Sequence, residues 1–162
     1  MEELFSSLTG LVLSVVVAGL ITFLGVWLFQ RATHAVDEWA ELRRGNVAIG
    51  VVMAAIVVAV GVVVKPALQE PLIAADVGRS RPLYELAVNG VGLIIALLLA
   101  IVAVGFAIWI FTRLTTDLDE WSELARGNVA VSILMAGVVL AVALLTATAV
   151  DRIVSALTDV VF

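Results

Sequence analysis

The chain has 162 residues, of which 63% are hydrophobic and 14% charged, with a mean hydropathy of +1.19 and a net charge of -5. Soluble domains are usually about 45–50% apolar and about 25% charged, so these values exclude soluble enzymes, secreted disulfide scaffolds and nucleic-acid-binding domains. Cysteine is absent and His34 is the only histidine, so neither a metal nor a cofactor is predicted. Because the net charge is negative, nucleic acid is not an expected partner.

The apolar residues fall in four runs, each about as long as is needed to cross a hydrocarbon core of about 30 Å. These runs contain no charged residue and cover positions 8–29, 47–64, about 86–111 and 129–150. They lack the alternation of barrel strands, and a backbone in lipid must satisfy its own hydrogen bonds. We therefore expect an all-α, multi-pass membrane protein with four transmembrane helices in contact with lipid.

The connections between the runs differ in character. Segments 30–46 and 112–128 are short, charged and alike, whereas 66–82 contains Pro66, Pro71 and Pro82. Because proline breaks helices, 66–82 is predicted to be a linker loop, with Pro82 suited to the first turn of the next helix. The chain thus divides into a first two-helix unit (1–65), the linker (66–82) and a second two-helix unit (83–162).

An internal duplication supports this division. Residues 37–48 read DEWAELRRGNVA and residues 119–130 read DEWSELARGNVA, so ten of twelve positions are identical at an offset of 82 residues. The register extends outward, pairing Trp27 with Trp109 and Met53 with Met135. A two-helix unit returns the chain to the side where it began, so the two copies are predicted to run parallel and to place both repeated motifs on one face of the membrane.

The simplest interpretation of the repeated motif is a short amphipathic helix at the membrane interface, anchored by its tryptophan. Gly45 and Gly127 are predicted to end this helix in a left-handed conformation, and Asn46 and Asn128 to cap the next span. Acidic and basic side chains three positions apart are predicted to pair. The residues assigned to the motif are Asp37, Glu38, Trp39, Glu41, Arg44, Gly45, Asn46, Asp119, Glu120, Trp121, Glu123, Arg126, Gly127 and Asn128.

A functional interpretation of the same carboxylates stays open. Two acidic clusters brought together by oligomerisation could concentrate cations at a pore mouth or bind a divalent ion, although the spacing is not that of a calcium loop. Otherwise the charges are solvated and hold the connector out of the bilayer. His34 is predicted to be a solvated loop residue, and Asn89 a hydrogen-bonding residue near a helix start.

Small residues four positions apart form ladders within the spans. Such ladders let helices approach closely, so they are predicted to pack helices inside the chain or to form the contact between protomers. The ladder residues are Ser14, Ala18, Thr22, Gly50, Ala54, Gly92, Ala96, Ala100, Ser132, Ala136, Gly137 and Ala141.

Charge gives only a narrow indication of orientation. The motif face carries five arginines, whereas the other face carries Lys65, Arg79, Arg81 and Arg152. The positive-inside rule then places the connectors in the cytoplasm and both termini outside. Arginine in excess of lysine together with an acidic balance indicates a GC-rich, salt-adapted organism.

Two tandem two-helix units, each with an acidic connector leading into Arg-Gly-Asn-Val-Ala, resemble the YjfL-like family of small prokaryotic inner-membrane proteins, a domain-of-unknown-function family. The resemblance covers essentially the whole chain, and its most specific pieces are residues 41–48 and 123–130. It implies a four-helix protein of the cell membrane with no established activity. Some relatives are encoded near membrane-stress proteins of the phage-shock type, which implies envelope maintenance by association, and no catalytic residue carries over.

Three functions remain open, and the leading one is a self-associating structural or scaffolding component of the cell envelope. The alternatives are an oligomeric uncoupled ion channel with the acidic connectors at its mouth, and an accessory subunit that docks a membrane or peripheral partner protein on the tryptophan-rich face. An enzyme is not expected, because neither a nucleophile with a base nor a metal site can be assembled. Coupled transport is not expected either, because no ionisable group lies within a span.

Overall fold

The computed structural model describes residues 2–32, 37–69, 82–115 and 118–161. In these ranges the chain is helical and contains no strand. Four long helices alternate with two short ones, which follow the first and third long helices. Their bounds are α1 (Glu2–Ala32), α2 (Glu38–Arg43), α3 (Val47–Gln69), α4 (Pro82–Leu114), α5 (Glu120–Ala125) and α6 (Val129–Val161).

The long helices pack around a central pair, α3 and α6, which share the largest contact in the fold. Helix α3 is the more enclosed of the two, because α1, α4 and α6 all pack on it. Its largest fully buried side chains are Ile49, Val52, Ile56, Val60, Val63 and Val64. Both helices are rich in β-branched residues, which are weak helix formers in water. In an apolar surrounding the need to pair every backbone N–H overrides that preference.

The two outer helices are placed unequally. Helix α4 packs on both members of the central pair, whereas α1 packs on α3 and has no comparable contact with α6 among the described residues. Glycine allows the close approach of α1, since a β-carbon built on Gly25 would lie 2.9 Å from the Cα atom of Val57. A second contact joins Ile21 and Gly61 in the same antiparallel register.

The linker begins later than the sequence predicts. Helix α3 continues through Pro66 to Gln69, so the expectation that a loop begins at residue 66 is wrong. Proline removes one backbone N–H and crowds the carbonyl four residues before it, so Pro66 costs α3 one hydrogen bond, and the helix nevertheless continues for three residues beyond it. The remainder of the linker, 70–81, lies outside the described residues. Helix α4 begins at Pro82, as predicted from the preference of proline for the first turn of a helix.

Three of the helices are long and apolar enough to cross a membrane. The spans are Val47–Leu68, Gly90–Leu114 and Val129–Ala156, and a shorter apolar segment, Val15–Leu28, lies in α1. Large hydrophobic side chains cover the outside of the helices, as Phe23, Leu98 and Leu145 illustrate. Soluble monomers rarely expose apolar patches of this kind, so the surface is typical of a membrane protein.

The predicted packing ladders divide between the interior and the surface. Those of α4 and the start of α6 are inside, and the others are at the outside of the chain. Gly92, Ala96, Ala100, Ser132 and Ala136 are buried, Gly50 is half-buried, and Ala18, Thr22, Ala54, Gly137 and Ala141 are exposed. No helix of the described residues covers the exposed group, so for that group the contact between protomers stays a prediction. The side chain of Ser14 lies outside the described set.

Candidate functional site

The repeated motif begins with a helix cap in both copies. A carboxylate oxygen of Asp37 accepts a hydrogen bond from the backbone N–H of Ala40 at 3.0 Å, and Asp119 accepts one from Ser122 at 3.3 Å. An aspartate at this position satisfies one of the amides left free at the start of a helix. The first acidic residue of each motif therefore nucleates α2 or α5.

Each short helix ends in a Schellman motif, in which two backbone amides turn back to the last helical carbonyls. The backbone N–H of Gly45 donates to the carbonyl of Leu42 at 3.0 Å, and the backbone N–H of Asn46 donates to the backbone carbonyl of Glu41 at 3.0 Å. Gly45 and Gly127 both have φ of 81°, the left-handed conformation that favours glycine. The predicted left-handed glycines are thus confirmed.

The asparagine after each glycine starts the following long helix. The Oδ1 atom of Asn46 accepts from the backbone N–H groups of Ala48 and Ile49 at 3.1 and 3.3 Å. Asn128 does the same for Ala130 and Val131 at 3.1 and 3.4 Å. The predicted caps are confirmed, and the same residue ends one helix and begins the next.

The polar side of the short helices carries the predicted ion pairs. Arg44 lies 2.8 Å from Glu41 and Arg126 lies 3.3 Å from Glu123, each measured between side-chain N and O atoms. Both arginines are about three-quarters exposed, whereas the glutamates are largely covered. The second carboxylate oxygen of Glu41 accepts from the Nδ2 amide of Asn46 at 3.0 Å. Each glutamate therefore orients the asparagine that caps the following helix.

Glu38 and Glu120 depart from the expectation that the connector carboxylates are solvated. Both are buried, with about 7% and 6% of their surface exposed. The Thr115 hydroxyl hydrogen-bonds the Glu120 carboxylate. The sequence held a signal for this contact, because threonine stands five residues before this glutamate in both copies, at Thr33 and Thr115. Thr33 and His34 lie outside the described residues.

One difference between the two copies of the motif is a hydrogen bond that runs from the first copy to the second. The Nδ2 amide of Asn46 donates to the backbone carbonyls of Leu124 and Ala125 at 2.9 and 3.2 Å. These carbonyls lie at the end of α5, and the carbonyl of Leu124 also accepts from the backbone N–H of Gly127 at 3.0 Å. Asn128 donates to Glu123 at 2.7 Å within its own copy, and the described residues contain no reciprocal bond to α2.

The tryptophans cluster at the motif end of the long helices, but they are not equivalent. Trp39 is about half exposed, whereas Trp121 is half-buried and packs against the hydrophobic core. Trp27 and Trp109 are exposed near the ends of α1 and α4. The guanidinium carbon of Arg113 lies 5.7 Å from the ring centroid of Trp109, a cation–π distance. This pattern is typical of a membrane–water interface.

The chemistry of the motif is largely used within the chain. Asp37 and Asp119 cap helices, and Glu41 and Glu123 bind an arginine and an asparagine. Among the described residues, no group of three His, Cys, Asp or Glu side chains could hold a metal ion. The arrangement can therefore build two rigid turns and join them, and it presents exposed tryptophan and arginine side chains.

Comparison with known proteins places the chain in one family. No curated protein and no solved structure is significantly similar to it. One family model, described as Domain of Unknown Function (DUF350), matches residues 3–106 and again residues 83–162. The two matches cover nearly the whole chain and are consistent with tandem copies of the family's unit. The resemblance identified from residues 41–48 and 123–130 is thereby confirmed, and the chain belongs to the DUF350 family.

Proposed function

We propose that this protein is a non-enzymatic membrane component that self-associates and serves as a structural scaffold of the cell envelope. One observation carries the proposal: the polar side chains of the repeated motif are used to build and join two helical turns. The caps, the Schellman motifs and the Asn46 bond to Leu124 leave the two copies locked together at one end of the bundle. A rigid assembly of this kind suits a scaffold better than a site that binds and releases a substrate.

The proposal includes four transmembrane helices arranged as two tandem two-helix units. Helix α1 has 31 residues, which at about 1.5 Å per residue is long enough for the hydrocarbon core. The repeated motif, together with the two matches of the family model along the chain, supports the duplication. We place the protein in the cytoplasmic membrane of a prokaryote, with the connectors cytoplasmic and the termini outside, on the excess of arginine on the motif face.

The proposal is tested by the mass of the complex extracted from its native membrane under mild conditions. A homo-oligomer of defined size that conducts no ions in liposomes is the expected result. A monomer both in detergent and in lipid would overturn self-association. Cation flux that falls when Asp37 and Asp119 are changed to Asn would instead support the channel alternative.

A second candidate function, docking of a partner protein, rests on the exposed tryptophans of the motif end. Trp27, Trp39 and Trp109 are each roughly half exposed, and such side chains often anchor protein interfaces. Trp39→Ala should release a co-purifying partner without unfolding the chain, because Trp39 is outside the core. Trp121→Ala is the contrasting variant: it removes core packing and is expected to destabilise the fold. Retention of the partner by Trp39→Ala would remove this candidate.

A further inference from the structure

The same face of the second helix of each unit is covered in the first unit and open in the second. In α3 the face is buried, and Val52 and Val63 are fully so. In α6 the counterparts 82 positions later are exposed, with Leu134 at 58% and Leu145 at 74%. The buried face of α3 consists of Ala48, Val52, Ala55, Ala59 and Val63. The open α6 face, as we call it, consists of Ala130, Leu134, Gly137, Ala141 and Leu145.

The helix that accounts for this difference is α4. Helix α1 contacts α3 at Val57 and Gly61. At about 100° per residue these positions lie on the side opposite the buried face. Helix α4 packs on both α3 and α6, whereas α1 packs chiefly on α3 and, among the described residues, has no comparable contact with α6. By the repeat, the counterpart of the contact between α4 and α3 would be a contact between α1 and α6. That contact is missing from the described residues of one chain.

Helix α1 carries the matching surface for that missing contact. In α4, Ala100 and Val104 are buried and Leu93 and Leu97 are half-buried against the core. Their counterparts 82 positions earlier are exposed and lie along one side of α1. This open α1 face consists of Leu11, Val15, Ala18 and Thr22.

The open α1 face is also chemically suited to a dry contact. The Thr22 hydroxyl donates to the backbone carbonyl of Ala18 at 2.9 Å, so it brings no unpaired donor into an apolar interface. Ala18 and Thr22 offer little side-chain bulk, as Gly137 and Ala141 do on α6. Small residues let helix backbones approach each other closely within a membrane.

We propose that the open α6 face binds α1 of a second copy of the chain, in the way α4 binds α3 within one chain. Two copies related by a two-fold axis along the membrane normal then form two identical contacts, each between α1 of one copy and α6 of the other. The helices of each contact run antiparallel, as α4 and α3 do. This inference rests on the proposed self-association and names the surface that carries it.

Cysteine cross-linking tests the proposal in the full chain, which has no native cysteine. The contact between Gly25 and Val57 gives the relative depth of α1 and α3 in the membrane. If α1 of the second copy packs against α6 at the corresponding depth, Thr22 lies within one residue of the height of Ala141. Thr22→Cys and Ala141→Cys are made as separate variants with different tags and co-expressed. Oxidation in the native membrane should join them as a covalent heterodimer, since a disulfide requires Cα atoms roughly 4.4–6.8 Å apart.

Two controls make the result decisive. Ala59→Cys with Val104→Cys in one chain occupies the counterpart positions of the α3–α4 contact, and should give an intrachain disulfide and no dimer. Leu20→Cys with Ala141→Cys should give none, because Leu20 is exposed on the opposite side of α1 from Thr22. The proposal is overturned if the cysteines at positions 22 and 141 form a disulfide only when both are in one chain. It is also overturned if they form no disulfide while the cysteines at positions 59 and 104 do. A homo-oligomer without this cross-link would leave the scaffold function standing and reject only the interface.

A bulky substitution gives a second measurement. Ala141→Leu should weaken dimerisation in lipid by about a hundredfold, because the overpacked helix contact occurs twice in the dimer and each occurrence costs about tenfold. Ala54→Leu is the matched control: Ala54 is also exposed, on the outside of α3, and its substitution should leave dimerisation unchanged. Equal dimerisation of both variants and the parent chain would contradict the proposed surface.

Discussion

The side-chain amide of Asn46 donates a hydrogen bond to the backbone carbonyl of Leu124, 2.9 Å away, and so joins the first repeated motif to the second. The Oδ1 atom of the same side chain caps α3. One asparagine therefore ends α2, begins α3 and covers the end of α5. Asn128 occupies the equivalent position in the second motif, but its bonds stay within its own copy.

This asymmetry predicts unequal effects of removing the two asparagines. Both substitutions lose a helix cap worth about 1 kcal/mol, whereas Asn46→Ala also loses bonds to α5 worth about 1 kcal/mol each. Asn46→Ala should therefore lower the free energy of unfolding by about 1–2 kcal/mol more than Asn128→Ala. Reversible unfolding in mixed detergent, followed by circular dichroism, measures the difference. Equal losses would show that the bond between the motifs contributes nothing to stability.

The left-handed glycines give a second prediction. Gly45→Ala places a β-carbon at φ of 81° and should cost about 1–2 kcal/mol of unfolding free energy. Gly105→Ala is the control, because Gly105 is helical and a β-carbon there meets open space. That control should be neutral or stabilising by up to about 1 kcal/mol. The same unfolding measurement compares the two, and equal stability of both variants would contradict a conformational requirement at residue 45.

The close approach of α1 to α3 predicts a third effect. Gly25→Ala would place a β-carbon 2.9 Å from both Cα and Cγ2 of Val57, so α1 must move away from α3. The expected cost is about 1–3 kcal/mol of unfolding free energy, as for other overpacked contacts. Gly19→Ala, in the same helix with nothing within 4 Å, should have no such cost. If the two variants are equally stable, the two helices do not meet at this glycine.

The ion pairs of the motif are expected to contribute less to the free energy of unfolding than the hydrogen bonds between the glutamate and asparagine side chains. Arg44 is highly exposed, so Arg44→Ala should change the free energy of unfolding by at most about 0.5 kcal/mol. Glu41→Ala should cost more, because Glu41 also accepts from the Asn46 amide that reaches α5. Unfolding of both variants at low and high salt tests this, and the small effect of Arg44→Ala should vanish at high salt. If Arg44→Ala lowered the free energy of unfolding more than Glu41→Ala, the ion pair and not the hydrogen bond to Asn46 would be the main contribution of Glu41.

Local features of the chain were readable from the sequence because they depend on neighbouring residues. The glycine conformations, the Asn46 cap and the Glu41–Arg44 pair follow from residue types at fixed short spacing, and all are present. The start of α4 at Pro82 follows from the same kind of reasoning. The end of α3 did not, because a proline removes only one hydrogen bond and α3 tolerates that loss at Pro66.

Contacts between distant parts of the chain were not readable in this way. Nearly identical local sequences surround Asn46 and Asn128, yet among the described residues only Asn46 reaches the other motif. Likewise, Glu38 and Glu120 read as surface charges, and their burial depends on what packs above the short helices. Alternation or spacing within a segment carries no information about which neighbour will cover it.

The amino-acid sequence by itself determined that the chain is apolar and helical, contains a repeated motif and turns at Gly45 and Gly127. These properties arise from hydropathy and from backbone conformations that each residue carries with it. Only the tertiary structure decided that α3 lies in the centre, that α4 packs on both central helices and that α1 packs on one. Two nearly identical motifs cannot be told apart by local physics, so the packing of the whole chain determines which faces are buried and which stay open.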